Sequence, residues 1–129
     1  KELLRENPGR LTMVAGDARH ADRFFGKAAF DIVAGDLPYG VAHGNVAGGD
    51  RTRSPEGLVT ACLPAWRAAL RPGGVLALSW NTLVFSRDNM VKALEGGGFV
   101  PLLDPPYDAF RHRVDASILR DIAIAVCKP

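Results

Sequence analysis

Disulfides, a membrane span and a strong charge of one sign are all missing from this chain. Its 129 residues hold two cysteines, too few to staple a small domain. Cys62 sits in a helical pattern and Cys127 in an apolar strand pattern. Neither matches a metal or redox spacing, so both read as buried thiols of a reducing compartment. Three histidines, His20, His43 and His112, are scattered along the chain, and no metal site is expected. No apolar run approaches the length of a membrane span and no signal-peptide pattern opens the chain, which leads to the expectation of a cytoplasmic protein without a membrane partner. The formal charge is only +2, too mild to demand a polyanionic partner. Most of the cations are arginines, which suit bidentate contact with phosphate, so RNA or DNA stays open beside a plain solvated surface.

What the chain does have is apolar residues at 47% and charged residues at 23%, with 14 glycines and 9 prolines. That is the profile of a single α/β domain over residues 1–129, long enough to bury one core. Residues 1–7 look like the last turns of a helix already in progress, stopped by Asn7-Pro8-Gly9, which predicts that the segment begins in mid-domain.

Residues 11–15 form a short apolar run ending in Gly16-Asp17, the pattern of a buried strand with a carboxylate at its carboxyl end. A short helix is expected over residues 18–25, a second strand over 30–35, and a Gly-rich functional loop to about Ser54. Ser54-Pro55 reads as a helix start, with Val59, Cys62, Leu63, Trp66, Ala69 and Leu70 at helical spacing and Pro64 expected to kink or split the helix. A third strand is expected over 75–80, a helix capped by Ser86 to about Leu94, a fourth strand over 99–103 and a fifth over 121–126. Alternation of strand and helix predicts a mostly parallel sheet with helices on both faces, closed by an antiparallel hairpin of the last two strands with a long polar loop. Ligands of such sheets sit at the carboxyl ends of the strands, where Asp17, Asp36 to Tyr39, and Trp80-Asn81 all fall.

Asp36-Leu37-Pro38-Tyr39 places a carboxylate, a constrained backbone and an aromatic face within four residues. Asp36 and a backbone carbonyl near Pro38 can accept both hydrogens of an exocyclic amine, while Tyr39 stacks on its ring. Such an amine is a poor nucleophile, because its lone pair is conjugated into the ring. Accepting its hydrogens helps the nitrogen rehybridise and stabilises the positive charge it gains on attacking an electrophilic methyl. The base must first leave its stack.

Asp36-Leu37-Pro38-Tyr39-Gly40 after an apolar strand resembles the (Asp/Asn)-Pro-Pro-(Tyr/Phe) motif of class I S-adenosylmethionine-dependent methyltransferases that modify exocyclic amines. Gly16-Asp17-Ala18 resembles their acidic motif, whose carboxylate binds the adenine of the cofactor, and Leu70-Arg71-Pro72-Gly73-Gly74 resembles the turn into a later strand. More narrowly, residues 36–44 with Phe110-Arg111-His112-Arg113-Val114-Asp115 resemble the tRNA guanine-N2 methyltransferases. The resemblance runs from Leu11 to the end of the chain. It implies a Rossmann-like methyltransferase sheet, S-adenosylmethionine as cofactor and RNA, best guess tRNA, as partner. Asp36, Pro38 and Tyr39 would be catalytic, with Asp17, Ala18 and Asp36 on the cofactor. Leu37, Gly40, Arg51, Arg53, His112 and Arg113 would meet the substrate.

Leu37 stands where the commonest form of the motif has its first proline, and no Gly-x-Gly element with an acidic strand end is present. The family's sheet order is 3-2-1-4-5-7-6, and this chain would supply strands 3 to 7 without the two between 3 and 4. The expectation is therefore a fragment of a larger protein, or a first strand that re-pairs with its successor or with a second copy of the chain.

Plainer readings stand beside these roles. Asp17 also reads as a helix N-cap, Arg51 and Arg53 as part of a surface loop, and Arg111, His112, Arg113 and Asp115 as a self-contained salt-bridge cluster in the hairpin loop. Trp66 and Trp80-Asn81 read as core and turn. Alternative functions are the same fold methylating adenine N6, cytosine N4 or a protein amide, and a non-catalytic remnant serving as scaffold.

Overall fold

A computed structural model describes residues 11–38 and 55–129. A 3-10 turn, Ala18–His20, leads into the short helix α1, Ala21–Phe25, and then the strand β1, Phe30–Asp36. Helix α2, Pro55–Ala69, precedes β2, Leu70–Asn81, and helix α3, Arg87–Gly96, precedes β3, Phe99–Pro101. Two further strands, β4 (His112–Asp115) and β5 (Ile118–Cys127), complete a five-stranded sheet. The path across it is β1-β2-β5-β3, with β4 also on β5.

The class is α/β, as expected, but the sheet is mostly antiparallel. Of the pairings only β1–β2 is parallel; β5 is antiparallel to β2, β3 and β4, so β1 to β4 share one direction and β5 is the reversed strand among those described. Residues 11–15, the expected first strand, join no strand of the sheet and are exposed. A buried parallel strand needs a neighbour on its hydrogen-bonding edge and cover on its faces, and the described residues supply neither. The expected re-pairing of this segment with its successor strand is therefore not found. The hairpin of the last two expected strands is present as β3 against β5, but its loop contains β4. The latter takes over the outer edge of β5 where β3 leaves it: β3 pairs with residues 125–127, and β4 with 118–120.

Period-two alternation decides the burial. Leu76, Leu78 and Trp80 of β2 lie opposite Ala125, Ala123 and Asp121 of β5, and all are buried. They form one core with Val59, Cys62, Leu63 and Trp66 of α2 and with Met90 and Leu94 of α3. Both long helices thus cover the same face, which corrects the expectation of helices on both. The opposite face carries Ile32, Ala34, Val75, Ala77, Ile122, Ile124 and Val126, and Ile32 is 64% exposed. Among the described residues nothing covers it.

Helix α2 runs without a break through Pro64. The donor that Pro64 lacks would have bonded the Thr60 carbonyl, and both residues lie on the exposed side, where solvent can satisfy the acceptor. Packing of Val59, Cys62, Leu63 and Trp66 against the sheet outweighs the local preference to split. Ser86 caps α3 as expected, accepting from the Asn89 amide at 3.2 Å.

Where Leu70 pairs with Phe30 and Val75 with Ile32, β2 carries extra residues, and residues 71–74 bulge out. Gly74 is needed there, because a Cβ would lie 2.9 Å from the Arg71 carbonyl and 3.1 Å from that of Asp31. Arg71 and Asp31 pair across this bulge.

Candidate functional site

The carboxyl ends of β1 and β2 gather most of the described candidates. Asp36 ends β1 directly opposite Ser79 of β2, and the Ser79 hydroxyl donates to its carboxylate. Both side chains lie on the uncovered face. The next amide, Leu37 N–H, donates to the Ser79 carbonyl at 2.8 Å, which extends the ladder one step past the strand. Leu37 itself is buried, so its side chain belongs to the core and only its backbone is left for a substrate role.

Asp17 accepts from the Arg19 amide at 2.9 Å and caps the 3-10 turn, the plainer of its two expected roles. Its carboxylate also takes the Arg19 guanidinium in a forked contact, with Nε at 3.1 and 2.9 Å and Nη2 at 2.6 Å. These hydrogen bonds hold its pKa at about 2, below the ordinary 3.8. Because the folded value is depressed, the pairing contributes fully above pH 3.8 and is lost as pH falls towards 2. In an NMR titration the Arg19 amide is expected to shift with a midpoint near pH 2, and Asp17→Asn is expected to remove that transition. A midpoint at the ordinary carboxylate value would show that the pair does not form.

Ala18 lines a cavity of about 270 Å³ together with Asp36, Leu37, Pro38, Leu58 and Trp66. The 3-10 turn reaches this position because it packs on α2. Cys62 of α2 is fully buried, and burial, reinforced by the Asp17 charge, pushes its thiol pKa up against the opposing effect of Arg19. It is therefore a core thiol and not a nucleophile.

At the same end of the sheet, the β4–β5 hairpin is tied to β2 by Asn81. This buried amide donates to the Ser117 carbonyl at 2.8 Å and accepts from the Leu119 amide at 3.0 Å and the Leu83 amide at 3.2 Å. Trp80 is buried beside it, and its indole donates to the Phe85 carbonyl at 2.7 Å. Core and turn are thus what these two residues provide.

His112 and Arg113 lie on β4, not in an irregular loop as expected. The four-residue strand is short and its residues are exposed, so no hydrophobic alternation announced it. His112 Nδ1 contacts the Phe110 carbonyl at 2.9 Å, and Arg113 donates to the carbonyls of Asp115 (3.0 Å) and Ala116 (3.4 Å). Asp115 accepts from both the Ser117 amide and hydroxyl at 2.8 Å, which lowers its pKa. Among the described residues no ion pair joins Arg111, His112, Arg113 and Asp115, so the expected salt-bridge cluster is instead a set of turn hydrogen bonds. Tyr39, Gly40, Arg51 and Arg53 lie outside the described residues.

Three contributors escaped the sequence reading. Ser79 is the polar member of an otherwise apolar alternation in β2, a signal that was available. Arg19 as the partner of Asp17 was legible only as a nearby cation. Arg87 at the start of α3 donates to Asp121 at 3.1 Å, to the Ile122 carbonyl at 3.3 Å and to the Tyr107 carbonyl at 3.0 Å, holding the segment before β4 against β5. Nothing local in the sequence marks that long-range clamp.

No protein-family model matches the chain, and no curated protein matches it. Among solved structures it is similar to the crystal structure of a possible exported protein from Bordetella parapertussis, with 16% identity and a TM-score of 0.61. The likeness covers 99% of this chain and 48% of that one, so the chain spans about half the length of the structure it matches. At this identity the likeness concerns the fold. No helix among the described residues is long and apolar enough to cross a membrane.

Proposed function

We propose that this chain is the carboxyl-terminal part of a class I S-adenosylmethionine-dependent methyltransferase that acts on an exocyclic amine of a nucleic-acid base, with guanine N2 of tRNA as the substrate, in the cytoplasm. The observation that carries the reading is the position of Asp36 at the carboxyl end of β1, between the cavity it lines with Ala18, Leu37 and Pro38 and the uncovered face, on which its carboxylate meets Ser79. Strand order adds support: β1-β2-β5-β3, with β5 antiparallel, follows the 4-5-7-6 side of that family's sheet. The apolar face and the outer edge of β1, which no described residue covers, suit the remaining strands and helices of such a domain, and the similar structure is about twice as long.

The cavity, at about 270 Å³, falls below the roughly 300–1,000 Å³ of sites that enclose a whole ligand. Its residues therefore fit one ring-sized part of the cofactor, the adenine, beside Ala18, while Asp17 lines a second cavity that shares Ala18 with it. When bound, the cofactor supplies the electrophilic methyl group. Asp36, steadied by the Ser79 hydroxyl, accepts from the substrate amine and orients its lone pair. The backbone at Leu37 and Pro38 accepts the second hydrogen, and Tyr39 stacks on the base. Arg51, Arg53, His112 and Arg113 are assigned to the RNA side, the last two from a hairpin at the same end of the sheet.

The test is transfer of labelled methyl to unmodified tRNA by the polypeptide containing this segment, followed by nucleoside analysis, with titration of the demethylated cofactor in parallel. N2-methylguanosine is the expected product. Label in N6-methyladenosine, N4-methylcytidine or protein would replace the substrate, and a folded protein that neither binds cofactor nor transfers methyl would leave the scaffold reading.

A further inference from the structure

The end of the sheet opposite Asp36 holds a second cavity, which the proposed function does not use. It measures about 490 Å³ and lies between the last turn of α2, the start of β2 and the end of β5. Its walls include Pro64, Leu70 and Pro72, and its charged side chains are Arg67 and Lys128. No carboxylate lines it, and among the described residues neither cation has an ion-pair partner.

Arg67 is exposed near the end of α2, yet it is seated against the chain. It lies one helical turn after Leu63, and the two side chains rest on Gly98 and Gly97 of the turn between α3 and β3. A Cβ at Gly97 would fall 2.7 Å from Leu63 Cδ1, and one at Gly98 would fall 2.6 Å from Arg67 Nε and 2.8 Å from Cζ. The missing side chain at Gly98 lets the guanidinium settle there, and the one at Gly97 makes room for Leu63. The amides of Gly97 and Gly98 are spent on carbonyls of α3, so recognition in this cavity falls to the cationic side chains.

We propose that this cavity binds a phosphate monoester. The dianion matches two unneutralised positive charges, whereas a carboxylate would leave one of them uncompensated. A planar organic body on the ester fits against Leu70, Pro72 and Pro64. The volume lies within the range of small-ligand sites. The site is independent of the methyltransferase reading, since it shares no residue with the Asp36 cavity.

The probe is phenyl phosphate, titrated into the chain and followed by the amide signals of Gly96, Gly97 and Gly98, with benzoate as the monoanionic control. Saturable shifts at these glycines, stronger for phenyl phosphate than for benzoate and weakened by added salt, are expected. Arg67→Gln and, separately, Lys128→Gln should each weaken binding about tenfold. Lys128 is exposed near the end of the chain, so the second variant keeps the test valid if the first disturbs packing. Short RNA with and without a 5′-phosphate identifies the source: tighter binding only with the 5′-phosphate assigns an RNA end, and weaker binding than phenyl phosphate assigns a free ester. Absence of shifts at the three glycines, equal affinity for benzoate, or full affinity in both variants overturns the proposal.

Discussion

Under the proposed function, replacing Asp36 by alanine is expected to cut methyl transfer by the polypeptide containing this segment by about 10²–10³-fold, the usual loss when a preorganised group facing the developing charge is removed. The folding midpoint should move little. Asp36 sits at the carboxyl end of β1, an edge strand among the described residues, with its side chain on the uncovered face, and among the described residues the fold loses its hydrogen bond with Ser79. Asp36→Asn refines the result: it keeps one acceptor oxygen but not the charge, so it should fall between wild type and alanine. Cofactor binding, measured separately, should change less than turnover, because the carboxylate acts on the acceptor amine. Wild-type turnover in the alanine variant would remove Asp36 from the mechanism and with it the proposed chemistry.

Trp80→Ala is expected to cost about 3–5 kcal/mol, the range for deleting a buried aromatic side chain. Trp80 is fully buried between the sheet and the helices, and its indole N–H satisfies the Phe85 carbonyl. A domain holds only about 5–15 kcal/mol in total, so the variant should be close to unfolding at room temperature. Trp80→Phe separates the two contributions. It retains most of the apolar volume and leaves the Phe85 carbonyl without its donor, for an expected loss of about 1–3 kcal/mol. Urea denaturation followed by circular dichroism reads both. A change below 1 kcal/mol in the alanine variant would mean that the core around Trp80 is not packed as described.

Local chemistry was legible wherever it was local. Ser86 and the spacing of Val59, Cys62, Leu63 and Trp66 marked their helices, and the apolar run that ends in Asp36 marked the strand that carries the site. What failed depended on partners distant in sequence. Residues 11–15 have the composition of a buried strand, yet composition does not provide the neighbour such a strand must bond. Helices were expected on both faces because strand and helix alternate, but alternation does not say which side each helix chooses; one shared core put α2 and α3 together. For β4, four exposed residues offered no period to read. Its place is set by pairing with β5 and by the bonds of Asn81 to Ser117 and Leu119.

The last of the described strands is the one on which the sheet is assembled. β5 is bonded to β2 along one edge and to β3 and β4 along the other. During synthesis, β1 and β2 can pair as soon as both have emerged, but β3 and β4 have no strand to join until residues 118–127 leave the ribosome. The helices α2 and α3 likewise await Ala123, Ala125 and Cys127 to close their core. The described sheet therefore closes in one concerted step once β5 has emerged, and a chain cut short before Ile118 loses three of the four strand pairings described at once.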